Sequence, residues 1–152
     1  MSFEFKLEGL LRVRESFERR EEQKLAVAFG ELKHFNAMLD AVRERLASLA
    51  DGLGGLLVRG MTAADLHLRC LEILMLERRE RALAESVAAA LTKVQNQQRR
   101  LQEAKQKRQV LDKLRQKQLM SFLLSEGRRD QQKLDDAFLL RRSNEESGKG
   151  VA

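Results

Sequence analysis

The sequence predicts an all-α protein in which two long helices form an antiparallel coiled-coil hairpin, the second helix being longer. The first observation is an apolar residue at every third or fourth position from Leu25 to Leu56, the spacing of a coiled-coil seam. The second is a glycine-rich stretch at residues 51–60 that interrupts this pattern. The third is a composition of 34% charged residues and no proline, which is typical of long, solvated helices.

The first helix is predicted from about residue 4 to about residue 51. In the first part of this helix, before residue 24, apolar residues are expected to share one face. Between Arg19 and Glu22 the register of the apolar residues is expected to slip without ending the helix. That first face consists of Phe3, Leu7, Leu10, Val13 and Phe17. The regular seam that follows consists of Leu25, Ala28, Leu32, Phe35, Leu39, Val42, Leu46, Leu49, Leu53 and Leu56.

A loop is predicted at residues 52–62, because four of the nine glycines lie between Asp51 and Gly60. Thr62 is positioned to cap the amides of a new helix, and Asp65 is positioned for a variant of the capping box. Met61 and Leu66 have the spacing of a hydrophobic staple across that cap. A helix boundary is therefore expected here.

The second helix is predicted from about residue 63 to about residue 142, followed by a disordered tail at 143–152. If residue 51 lies near residue 63, Leu10 lies near Ala104, and the helix from about 112 to 142 has no partner within the chain. The whole of 1–142 is expected to be one coiled-coil domain. The predicted seam consists of Leu66, Ile73, Leu76, Leu83, Val87, Ala90, Val94, Leu101, Ala104 and Leu111.

Positive charge is concentrated between Lys93 and Lys117, which holds nine basic and two acidic residues in a chain of formal net charge +6. This segment therefore carries +7 and the remainder −1. No aromatic residue lies between the charges to stack on bases, so no nucleic-acid partner is expected. A solvated helix face and an acidic protein partner are the favoured interpretations, ahead of anionic lipid and nucleic acid.

No arrangement of residues indicates an enzyme, a metal site or a cofactor site. Neither His34 nor His67 accompanies the carboxylate and nucleophile of a catalytic triad. His67 and Cys70 are one helical turn apart, but two ligands do not form a structural zinc site. The glycine-rich stretch lacks the Gly-Lys-Ser/Thr ending of a phosphate-binding loop. A non-enzymatic protein without cofactor or metal is expected.

A cytoplasmic protein is also expected, with at most peripheral membrane association. The chain has one cysteine, which fits a reducing compartment. The N-terminus carries charges where a signal peptide needs apolar residues, and no apolar stretch approaches membrane-spanning length.

A second apolar stripe lies near the start of the second helix. Leu68, Leu71 and Met75 follow helical spacing but point away from the seam, so they are expected to form an exposed patch. Such stripes dock partner proteins. Self-association and packing of a third helix are the alternatives.

Two end segments resemble the flagellar export protein FliJ family. They are FKLEGLLRVRE at residues 5–15, followed by EEQKLA at 21–26, and RRDQQKLDDAF at 128–138. With the hairpin and its longer second helix, the resemblance covers residues 3–142.

The resemblance implies a small cytoplasmic component of type III flagellar protein export, located at the inner face of the membrane at the flagellar base. Members resemble the stalk of rotary ATPases, insert into the pore of a hexameric export ATPase, and contact the membrane export gate and export chaperones. Matched residue by residue, the ATPase contact falls on Phe5, Leu10, Leu11, Arg14, Arg128, Arg129, Gln131, Lys133, Asp135, Asp136 and Phe138.

Members often expose aromatic residues near the hairpin tip, but this chain has no tyrosine and no tryptophan. The gate or chaperone contact is therefore assigned to the stripe of Leu68, Leu71 and Met75. The equivalent stalk of an injection-type secretion system and a nucleic-acid-associated basic coiled coil are the alternative functions.

Overall fold

A computed structural model describes residues 3–149 of the protein. Its helices are α1, Glu8–Arg59, and α2, Ala63–Lys149, and residues 3–149 include no strand. The helices pack against each other, and α2 is longer, with 87 residues against 52. The prediction of an all-α antiparallel hairpin with a longer second helix is confirmed.

The turn between the helices is much shorter than the predicted loop at 52–62. Helix α1 continues through Gly52, Gly54 and Gly55 and ends at Arg59. Glycine weakens a helix by only about 1 kcal/mol per residue, and the half-buried Leu53 and Leu56 offset that cost by packing. The change of direction falls at Gly60, where φ is 90°. Three residues, 60–62, therefore join the helices.

The start of α2 is capped as the sequence predicts. The backbone amide of Asp65 donates to Thr62 Oγ1 at 3.2 Å, and that hydroxyl donates to Asp65 Oδ2 at 2.5 Å. The first backbone bond follows at once, from the Leu66 amide to the Thr62 carbonyl oxygen at 3.0 Å. Thr62 thus satisfies a helix-start amide that has no partner within the helix.

The chain divides into two compact units, one of residues 16–105 and one of residues 1–15 and 106–152. In the first, every predicted seam position from Leu25 to Leu56 is buried or half-buried. So is every seam position of α2 from Leu66 to Ala104. Leu39, Val42 and Leu83 form a buried core cluster in this unit. Apolar burial between the two seams therefore stabilises this unit.

Ion pairs between α1 and α2 within the 16–105 unit join residues whose numbers add up to between 117, for Arg45–Glu72, and 127, for Glu22–Lys105. The residue numbers of paired ions add up to 123 for Arg43–Glu80 and to 124 for Glu31–Lys93, at 2.8 and 2.7 Å. The expected pairing of residue 51 with 63, which adds up to 114, is wrong. It failed because α1 ends eight residues later than expected, at Arg59.

The predicted register slip between Arg19 and Glu22 is absent. The seam spacing continues back from Leu25 through Glu21 and Glu18, whose side chain is 9% exposed. Phe17, predicted to face inward, is instead 48% exposed. Polar residues occupy the seam here, so a pattern of apolar residues alone does not show that the register is kept.

The second unit has its own core, which Phe5, Leu11 and Leu111 form with Phe3 packed against them. Leu11 is 2% exposed and is the most buried large side chain. The expected inward face of Leu7, Leu10 and Val13 is wrong, because these residues are 37%, 43% and 49% exposed.

In this unit, residues near the N-terminus contact α2 beyond residue 112, contrary to expectation. The rings of Phe3 and Phe122 lie 5.7 Å apart, and Glu8 pairs with Arg115 at 3.5 Å. We call residues 123–149 of α2, beyond Phe122, the extension. The tail predicted as disordered is helical over residues 143–149, and 150–152 lie outside the described residues. The assignment of 1–142 to one domain stays a prediction.

Candidate protein-interaction site

The first candidate surface is the tip stripe of Leu68, Leu71 and Met75, in the first turns of α2. These side chains are 64%, 44% and 71% exposed. The neighbouring seam residues Leu66 and Ile73 are half-buried. The stripe is thus exposed as predicted, and its role in binding a partner stays a prediction.

A hollow of about 420 Å³ adjoins this stripe at the turn, and sequence patterns did not indicate it. Leu68 belongs to both. An ion pair of 2.8 Å between Arg45 and Glu72 contributes to its wall. Its lining residues are Arg45, Leu56, Gly60, Met61, Asp65, Leu68, Arg69 and Glu72. A partner side chain that meets Leu68 therefore finds polar groups beside it.

The N-terminal motif residues differ strongly in exposure. Phe5 and Leu11 are core residues, 8% and 2% exposed, and they pack with Leu111. Arg14 is half-buried, and Leu10 is 43% exposed. Any contact of this motif with an ATPase therefore involves Leu10 first, while Phe5 and Leu11 hold the helices together.

The C-terminal motif is exposed throughout. All seven of its candidate residues lie on the extension, and Phe138 is 66% exposed. The motif's cations make only local ion pairs, Arg129 with Glu126 at 3.1 Å and Lys133 with Asp130 at 3.2 Å. These short-range pairs stabilise the helix and leave its faces open to a partner.

The two end motifs are not brought together. Leu11 packs with Leu111, and Arg128 lies 17 residues further along α2, which is about 26 Å of helix. A partner that contacts both motifs must therefore extend along α2 within this unit.

The apolar stripe of the extension lies on a new face of α2. Phe122 faces Phe3. The stripe begins at Leu124, two residues further along, which is about 200° around the helix from Phe122. Its apolar members are Leu124, Leu134 and Phe138, with Gly127 and Gln131 between them at the same spacing of three and four residues. Leu134 and Phe138 therefore lie on the side of α2 away from Phe122, whereas Leu140, five full turns beyond Phe122, lies on the same face as Phe122.

The basic segment 93–117 is partly neutralised within the chain. Lys93 pairs with Glu31 at 2.7 Å, and Lys105 approaches Glu22 at 4.0 Å. Arg108 pairs with Asp112 one turn away. Much of the segment's charge therefore contributes to register and helix stability, as expected for a solvated helix face.

A buried polar contact involves Gln97 of this segment, and apolar patterns could not find it. Gln97 occupies a seam position and is 8% exposed. Its side-chain amide donates to the backbone carbonyl oxygen of Glu21 at 3.2 Å and also to the Glu21 carboxylate. Lys24 donates to the same carboxylate at 2.8 Å. The bonds from Lys24 and Gln97 lower the pKa of Glu21 below its ordinary value of 4.5.

Within residues 3–149, neither helix contains a stretch apolar enough to span a bilayer.

Residues 3–147 match the family model described as the flagellar FliJ protein. Searches of curated proteins and of solved structures each returned no match.

Proposed function

The chain belongs to the FliJ family of flagellar proteins, and we propose that it is a non-enzymatic stalk and adaptor of flagellar type III protein export. The family shows a role associated with flagellar export and favours the flagellar system over an injection-type one. In the proposal, the extension inserts into the pore of the hexameric export ATPase and stimulates it. The tip stripe links the protein to the membrane export gate and to export chaperones. The proposed location is the cytoplasmic face of the cell membrane at the flagellar base.

The observation that carries the proposal is the exposure of large apolar side chains on the extension. Leu134, Phe138, Leu139 and Leu140 are all at least 60% exposed. A single helix that exposes this much apolar surface to water is suited to a partner that surrounds it. The pore of a ring-shaped ATPase offers contacts on all sides of one helix.

Contact with a ring also suggests how stimulation would occur. One helix presents different side chains in different directions, so subunits around it receive unequal contacts. Such contacts shift the balance between subunit states only if their free energies differ between those states. The apolar stripe through Leu134 and Phe138, with Arg128 and Lys133 on other faces, provides that inequality.

The experiment compares two double variants in a turnover assay with purified flagellar export ATPase. Phe138→Asp with Leu139→Asp places charges on the extension, and we expect it to abolish stimulation. Both positions are exposed, so the hairpin should stay folded by circular dichroism. Unchanged stimulation by this variant would refute the stalk proposal.

The matched control is Leu68→Asp with Met75→Asp, which adds the same charges to the tip stripe. We expect it to retain ATPase stimulation and to lose binding to the purified cytoplasmic domain of the export gate. If the extension variant keeps stimulation and the tip variant loses it, the stalk proposal is refuted and the ATPase contact is reassigned to the tip stripe.

A further inference from the structure

A groove lies along one edge of the 16–105 unit, between α1 and α2, with a volume of about 520 Å³. Its lining combines apolar, basic and amide side chains, and no acidic residue is among them. The lining residues are Arg20, Gln23, Lys24, Val27, Ala28, Lys93, Gln97 and Arg100.

Charges along this edge match at two steps and clash at a third. Arg45 pairs with Glu72 and Glu31 pairs with Lys93, at 2.8 and 2.7 Å. Lys24 lies one heptad from Glu31, and Arg100 lies one heptad from Lys93. Both line the groove, so two like charges share this part of the edge. Like charges at positions that flank a seam disfavour pairing of the two helices, whereas opposite charges favour that pairing.

Acidic side chains of the chain neutralise only part of the positive charge in the groove. Lys24 donates to Glu21 at 2.8 Å, but Gln97 also occupies that carboxylate. Arg20 lies over the ring of Phe17, 5.9 Å from its centroid. Within residues 3–149, neither Arg20 nor Arg100 forms an ion pair. Arg100 lies near enough to Glu21 to lower the pKa of that carboxylate, which also accepts hydrogen bonds from Lys24 and Gln97. The groove therefore holds two arginines, neither of them in an ion pair, that an anionic partner can approach.

We propose that this groove binds an acidic, amphipathic segment of a partner protein. Carboxylates of that segment would pair with Arg20 and Arg100, and an apolar side chain would cover Val27, which is 61% exposed. Lys93 and Arg100 are seven residues apart, so the groove accommodates about two turns of a helix, or about 10 Å.

A protein segment fits this groove better than nucleic acid does. The residues that line it include no aromatic side chain on which a base could stack. A phosphate backbone also offers no apolar group that could cover the exposed side chain of Val27. The groove shares no residue with the tip stripe or the extension, so this proposal does not depend on the stalk function.

The test uses the full chain and a fluorescent helical peptide with glutamate on one face and leucine on the other. A second peptide has glutamine in place of each glutamate. We expect the acidic peptide to bind at least about tenfold more tightly, and Arg20→Glu with Arg100→Glu to remove about tenfold in affinity. The matched control, Arg78→Glu with Arg81→Glu, makes the same charge change at exposed positions outside the groove and should leave binding unchanged.

Val27→Asn tests the apolar floor without a change of charge, and weaker peptide binding is expected. If the groove double variant unfolds, Arg20→Gln with Arg100→Gln replaces it. Equal losses in the groove and control variants would overturn the proposal, as would the absence of peptide binding. Tighter binding of duplex DNA or of anionic phosphatidylglycerol vesicles than of the peptide, lost in the groove variant, would overturn it too.

Discussion

Gln97 on α2 donates a hydrogen bond from its side-chain amide to the backbone carbonyl oxygen of Glu21 on α1, at 3.2 Å. This polar contact lies in line with the mainly apolar seams of the 16–105 unit. A polar group at a seam position costs stability and favours one register, because other registers leave that group without a partner. Gln97 and Glu21 are therefore expected to help fix which residues of the two helices face each other.

Replacement of Gln97 by leucine should raise the free energy of unfolding by about 1 kcal/mol, since an apolar side chain suits this position better. Glu21 would keep its bond with Lys24. Urea denaturation followed by circular dichroism measures the change. Gln95→Leu, at an exposed position, is the control and should have little effect. A lower stability of Gln97→Leu would show that the hydrogen bond outweighs apolar burial.

Acid should weaken the 16–105 unit through Glu21. Its pKa is lowered in the folded state by bonds from Lys24 and Gln97, so its contribution is fully present above the ordinary value of 4.5. That contribution is lost as the pH falls below 4.5 and through the lowered pKa of the folded state. Glu21→Gln should therefore show a smaller drop in melting temperature between about pH 7 and about pH 3. Equal drops in both proteins would contradict this assignment.

Adjacent leucines near the N-terminus should respond very differently to truncation. Leu11→Ala removes a side chain that is 2% exposed and should destabilise its unit by about 2–4 kcal/mol. Leu10→Ala removes one that is 43% exposed and should cost less than about 1 kcal/mol. Hydrogen exchange of the amides around residues 8–15 resolves this difference. Similar losses of protection would mean that the burial of Leu11 is not what holds this segment.

Two glycines offer a test of the turn. At Gly60 the φ angle is 90°, so Gly60→Ala should destabilise the protein by about 1–2 kcal/mol. Gly54 lies within α1, and a Cβ there would meet no atom within 4 Å. Gly54→Ala should therefore stabilise the protein by about 0.5–1 kcal/mol. Thermal unfolding of both variants provides the measurement, and a stabilising Gly60→Ala would argue against the left-handed turn.

The fold was predictable where apolar spacing determines it. The seam positions from Leu25 to Leu56, the seam positions of α2 and the cap at Thr62 follow from periodicity and side-chain chemistry, whereas the pairing between the two seams does not. The end of α1 was not predictable from glycine content, because burial of Leu53 and Leu56 compensates for weak helix propensity. Which side of α1 faces the core near the N-terminus was not predictable either, because Leu10 and Leu11 are adjacent and equally apolar.

The candidate surfaces were predictable to a similar degree. Exposure of the tip stripe follows from its offset from the seam, and exposure of Phe138 follows from the excess length of α2. The groove near Arg20 and Arg100 depends on register, which no single helix pattern determines. Gln97 was missed because a glutamine at a seam position resembles a solvated residue until its partner on α1 is known.

The three-residue turn at 60–62 also limits how the chain can change in length. A turn this short cannot absorb an inserted residue. A residue added to α1 alone would therefore change which residues of α1 and α2 face each other on the side of the insertion away from the turn. Insertions and deletions in the 16–105 unit should therefore be tolerated as paired heptads, seven residues in α1 and seven at the facing position in α2. Each such pair would lengthen the helices by about 10 Å and keep the seams aligned. Length variation among homologous hairpins is thus expected in multiples of about fourteen residues.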